Sequence, residues 1–136
     1  MANVTDVATL YNGRRKKVFR LQGAIDTAES DVTKITIGNF TTAVGATATY
    51  SIIDRIDYVI SQNGYVLLEW DHTTDDEIAI LTGQGFIDWR DKGGFVDPKT
   101  TGGTGNILLS TVGLTAAISA TNIVSYDITI TLRTKA

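Results

Sequence analysis

The segment LLEWDHTTDDEIAIL, Leu67 to Leu81, places the one histidine of the chain, His72, among Asp71, Asp75, Asp76 and Glu77. These residue types bind cations, relay protons or activate a nucleophile, so this is where chemistry is sought first. Each specific arrangement then fails on spacing. A calcium loop of the EF-hand type needs oxygen ligands at alternating positions, a central glycine and a closing glutamate, and that register is absent. A zinc site draws on two or three His or Cys ligands, whereas the chain has one His and no Cys. A catalytic triad lacks a nucleophile in a recognisable elbow. What remains is a polar connection between two strands, because short Asp and Thr side chains bond nearby backbone groups. On this reading His72 is an exposed turn residue, and no catalytic residue, metal ligand or cofactor is expected.

Other groups receive the same test. The run Arg14, Arg15, Lys16 and Lys17, with Tyr11 just before it, is a basic cluster at the entry to a strand. It suits docking on an acidic protein surface or simple solvation. Nucleic acid ranks third, because phosphate binding rests on Lys and Arg and the net charge is -3. TTGGTGN, Thr100 to Asn106, has the glycines of a phosphate loop but no Gly-Lys-Ser/Thr ending and precedes a strand, so a flexible surface loop is expected. Asp54 and Asp57 have opposite parity, which on a regular strand points them to opposite faces and rules out a cooperating acid/base pair. Ion pairing, with Arg55 or Arg90, is their expected role.

The elements that carry these groups alternate with period two. Phe19, Leu21 and Ile25 share one parity against Arg20 and Gln22, with Gly23 marking a bend or bulge. Ile35 and Ile37 repeat the pattern, and Tyr126, Ile128, Ile130 and Leu132 alternate with Asp127, Thr129, Thr131 and Arg133. YSIIDRIDYVI and YVLLEWD flank Asn63-Gly64, which predicts a hairpin. Val66, Leu68 and Trp70 fall on one face, and a strand apolar on both faces is central or meets another subunit. EIAIL, GFIDW and NILLSTVG supply further strands, and LTAAISATN is the one candidate for a short helix.

A chain of 136 residues, with 43% hydrophobic and 20% charged residues, is the size and composition of one folded domain. Without cysteines there are no disulfides or thiolate sites, so stability comes from packing or association. No apolar run is long enough for a membrane helix and the N-terminal segment lacks a secretion signal, so neither membrane nor export is expected. Seven or eight strands without long helices predict an all-β, single-domain antiparallel β-sandwich, jelly-roll-like, over residues 14–136. Residues 1–13 have little periodicity and read as a loose N-terminal arm that reaches a neighbour.

Leu67 to Gly113 carries a further signal. An apolar strand ends in Glu-Trp-Asp, a Gly-X-Gly turn follows, and then come an aromatic Asp/Arg-rich strand, Gly-Gly, Asp-Pro and Gly-Asn-Ile-Leu-Leu. This order resembles small all-β virion structural proteins of tailed bacteriophages. The resemblance implies a non-enzymatic decoration or cement protein on the capsid surface, made in the host cytoplasm. Its partner would be the major capsid protein, and it would act as a homo-oligomer, a trimer at local threefold positions. A tail or neck component and a carbohydrate-binding module on the virion surface are the alternatives. The last would require a row of exposed aromatics, whereas Trp70 and Trp89 sit in apolar strands.

Overall fold

The computed structural model describes residues 3–25, 28–61, 64–112 and 125–136. Among them run ten strands: β1 (Val4–Asn12), β2 (Lys17–Ala24), β3 (Val32–Ile35), β4 (Tyr50–Ile60), β5 (Tyr65–Trp70), β6 (Asp76–Leu81), β7 (Gln84–Asp88), β8 (Phe95–Val96), β9 (Ile107–Val112) and β10 (Ser125–Lys135). All pairings are antiparallel. The helix expected at LTAAISATN lies outside the described residues.

Setting aside β1 and the two-residue β8, the remaining eight strands pair first with last. β2 pairs with β10, β3 with β9, β4 with β7 and β5 with β6. That is the pattern of one long two-stranded ribbon whose tip is the β5–β6 turn. Two further pairings, β4 with β10 and β5 with β9, roll the ribbon into two sheets. The larger sheet runs β1-β2-β10-β4-β7, with β8 also on β4, and the smaller runs β3-β9-β5-β6. This is a jelly-roll β-sandwich.

Alternation builds the core. Phe19, Leu21, Ile128, Ile130 and Leu132 from the larger sheet face Val66, Leu68, Trp70, Ile107 and Leu109 from the smaller, all fully or almost fully buried. Each such side chain contributes on the order of 1.5–3 kcal/mol relative to exposure. Trp70 is fully buried at the end of β5, its ring edge-on to Phe95 at 4.9 Å and its Nε1 donating to Ser51 Oγ at 3.3 Å. Trp89 is partly buried against the same Phe95.

Four expectations change. β4 and β5 do not form a hairpin: they belong to different sheets. Alternation and an Asn-Gly pair describe two strands and a bend equally well in either case. Residues 4–12 are not a loose arm but a strand paired along β2, although nearly every residue of it is exposed. Gly23 makes no bulge. It sits opposite Tyr126, whose ring lies where a Cβ would be, so glycine there clears space for an aromatic in the neighbouring strand. The bulge instead falls in β4, where Thr131 pairs with Arg55 and Leu132 with Ile53, leaving Asp54 as the extra residue. That extra residue resets parity. Asp54 then accepts from Arg133 Nη2 at 2.9 Å and Asp57 from Arg55 Nη2 at 2.9 Å, both on the outer face of the larger sheet.

Candidate functional site

The acidic turn is the tip of the ribbon, and its histidine is folded inward. The side chain of His72 has no exposed surface and Asp97, from the loop after β8, has 1%. Nδ1 of His72 faces Asp76 Oδ2. Nε2 lies 2.8 Å from Asp97 Oδ1 but off the line of a good hydrogen bond, and the same Oδ1 accepts from Lys99 N at 2.8 Å. Asp76 also accepts from Thr100 Oγ1 at 2.6 Å, and this hydroxyl, followed by the His72 ring, holds its pKa below the ordinary carboxylate value.

The glycine-rich loop closes over this histidine. Thr73 N donates to Thr101 O at 3.0 Å, Thr104 N to Asp71 O at 2.9 Å, and Thr104 Oγ1 to Asp71 Oδ2 at 2.8 Å. A Cβ on Gly103 would lie 2.5 Å from His72 Cδ2, and one on Gly102 would lie 2.0 Å from Thr73 Oγ1. Glycine is therefore required by close approach. His72, Asp97, Lys99 and Thr100 border a cavity of about 300 Å³ beside this loop. The expected exposed turn residue is thus a buried cross-link, and the expected flexible loop is bonded to the turn.

A second acidic group gathers on the outer face of the smaller sheet. Carboxylate oxygens of Asp31, Glu69 and Asp75 lie within 4.8 Å of one another. Partial burial first, then the charges of Asp31 and Asp75, push the pKa of Glu69 up to about 6. Ser110 Oγ accepts from Asp31 N at 2.9 Å and fixes its approach. Among the described residues, these three could hold a hard cation, although calcium takes six to eight oxygens. Glu69 and Asp75 both belong to the Leu67–Leu81 segment, whereas Asp31 comes from just before β3. The β3-β9-β5 order brings Asp31 beside Glu69, and no local pattern announces that neighbour.

The basic cluster divides. Arg14, Arg15 and Lys16 are exposed at the β1–β2 turn, and Lys16 Nζ lies 5.5 Å from the centre of the Tyr11 ring. Lys17 is buried: its Nζ donates to Asn12 Oδ1 at 2.9 Å and to Gly13 O at 2.8 Å, and desolvation lowers its pKa. It braces the turn and is removed from any docking surface. Arg14 and Arg15 share a recess of about 310 Å³ with Arg133 and Lys135.

The outer face of the larger sheet holds a shallow groove of about 500 Å³ bordered by Arg20, Asp57, Val59, Gln84, Phe86 and Asp127. Its charges are mostly matched. Arg20 pairs with Asp127 at 2.6 Å, while Arg55 pairs with Asp57 and reaches Asp88 at 3.6 Å. Arg90, foremost, depresses the pKa of Asp88 to about 2. Phe86 is exposed, with Arg55 Cζ 4.2 Å above its ring centre.

Compared with protein-family models, curated proteins and solved structures, the chain matches none. Among the described residues no helix is long and apolar enough to cross a membrane.

Proposed function

We propose that the chain is a non-enzymatic structural protein of a virion, a decoration protein that binds the major capsid protein on the head of a tailed bacteriophage. The reading draws on the sequence resemblance over Leu67 to Gly113 and on one structural observation: the basic turn Arg14-Arg15-Lys16 is fully presented at one end of the domain while His72 is enclosed by Asp76 and Asp97. Groups suited to docking face outward, and the group best suited to proton transfer is engaged in holding the fold. Jelly rolls serve viral capsids and lectins alike, so the class of fold accommodates this role without selecting it.

Docking through the basic turn to an acidic shell surface would weaken with salt. The test is cryo-electron microscopy of purified particles of the phage that encodes the chain, with copy number measured by quantitative mass spectrometry. Many copies in regular positions on the head are expected. Placement at the neck or tail, or absence from the particle, would overturn the assignment. Reversing Arg14, Arg15 and Lys16 together, with Lys17 left intact, is expected to lower retention on capsids most at low salt.

The carbohydrate-binding alternative rests on Phe86 in the outer groove. One face of that ring is taken by the Arg55 guanidinium, and Trp70 is fully buried, which removes the open aromatic row a sugar would stack on. Selective binding on a glycan array would favour it.

A further inference from the structure

Four of the large apolar side chains left in solvent lie on one strand. On β1, Val4 is 67% exposed, Leu10 and Tyr11 are each 55% exposed, and Val7 is 40% exposed. The strand pairs with β2 along one edge and with no other described strand along the other. Proteins guard such edges with lysines, prolines, short strands or bulges. β1 has nine residues, no Lys, no Pro and one acid, Asp6, and its bulge comes late, between Thr9 and Tyr11.

We propose that this edge is the seam of a symmetric dimer, in which β1 of a second copy pairs antiparallel with Val7 on the two-fold axis. The register follows from strand geometry. In an antiparallel pair, facing residues both turn their peptide groups toward the partner or both turn them away. Two identical edges therefore meet only in registers centred on a residue. Centred on Asp6, the pairing sets two like charges directly opposite. Centred on Ala8, it sets Asp6 against Leu10 and Thr5 against Tyr11. Centred on Val7, it sets Val4 against Leu10, Thr5 against Thr9, Asp6 against Ala8 and Val7 against itself. The stretch VTDVATL reads as an approximate palindrome in residue character, and this register uses all of it.

The faces agree as well. Thr5, Val7 and Thr9 stand opposite Gly23, Leu21 and Phe19 of β2, so they extend the inner row of the larger sheet beyond the covered core. Val7 beside its symmetry mate, flanked by threonine pairs, is a favourable set of β-branched cross-strand neighbours. The two larger sheets become one continuous sheet. Such a contact uses the same patch on both copies and closes at two, so it cannot generate the trimer expected from the sequence resemblance. It stands apart from the capsid assignment, since neither depends on the other.

Sedimentation equilibrium of the full chain, from low micromolar to millimolar concentration, tests the dimer. A reversible monomer–dimer equilibrium is expected. Val7→Lys places two ammonium groups on the axis and should give a monomer with an unchanged circular dichroism spectrum. Ala8→Lys places each new ammonium opposite Asp6 of the second copy, and should tighten the dimer roughly three- to tenfold at low salt. A gain of affinity cannot come from misfolding, and in a register centred on Ala8 the same change would oppose two lysines. A monomeric or trimeric wild type, a Val7→Lys dimer of unchanged affinity, or weaker association of Ala8→Lys would overturn the proposal.

Discussion

Two regions of this jelly roll invert the usual partition of polar and apolar groups. At the tip of the ribbon, a histidine and an aspartate are buried; along β1, valines and a leucine stand in water. The first region is enclosed by Asp76, Asp97 and a loop whose glycines let it lie on the ring. The second is held by one neighbouring strand. Buried charge requires partners and must be built into the monomer, whereas exposed apolar surface leaves folding almost untouched and awaits a contact outside it.

The difference is sharpest under substitution. His72→Ala removes the buried ring that Asp76 and Asp97 face and leaves a gap under the glycine-rich loop, at a cost of about 1–3 kcal/mol. Urea unfolding should register that loss, and a change below about 0.5 kcal/mol would return His72 to the status of an ordinary turn residue. Gly102→Ala should cost about 1–3 kcal/mol, from a left-handed backbone and the encounter with Thr73. Here φ is +76° and the new Cβ would lie 2.0 Å from Thr73 Oγ1. A lowered melting temperature with an unchanged spectrum is the expected result.

Glu69 gives the opposite sign. Its folded pKa is raised from 4.5 to about 6, so the protonated form is favoured by the fold. The associated stability is complete below pH 4.5 and is lost as pH rises through about 6. Glu69→Gln should therefore stabilise the protein at pH 7 by on the order of 1–2 kcal/mol and make little difference near pH 4. Paired melting curves from pH 4 to 8 would reveal the gap opening between those values; a constant gap would remove the titration of Glu69 as its cause. The smallest effect belongs to β1. In dilute monomer, Val7→Thr should change stability by less than about 0.5 kcal/mol, because the side chain lies at an exposed edge outside the core and threonine keeps its β-branched shape. A loss above about 2 kcal/mol would mean that β1 is part of the core.

Much of the framework was legible because alternation is a local property. The inward rows of β2 and β10 follow from parity alone, as does the burial of Trp70 with Val66 and Leu68, and the abundance of such segments implies a sandwich. Sites depended on partners remote in sequence. His72 reads as a solvated turn residue until Asp97, from a loop beyond β8, arrives against it. Asp54 and Asp57 read as facing opposite ways until a bulge in β4 intervenes. Lys17 belongs to a basic run by composition, yet two oxygens of its own turn draw it out of that run.

By itself, the sequence determined which residues turn inward along the regular strands β2, β5 and β10, because side-chain direction alternates with every residue where no bulge intervenes. It also limited the available chemistry: one histidine and no cysteine cannot supply the ligands of an ordinary zinc site. Tertiary structure alone decided that β4 and β5 lie in opposite sheets, that Asp31 meets Glu69 and Asp75, and that β1 has one neighbour among the described strands. Strand order is set by pairings between segments far apart in the chain, and the energies that choose among them are sums over the whole core, which no single segment encodes.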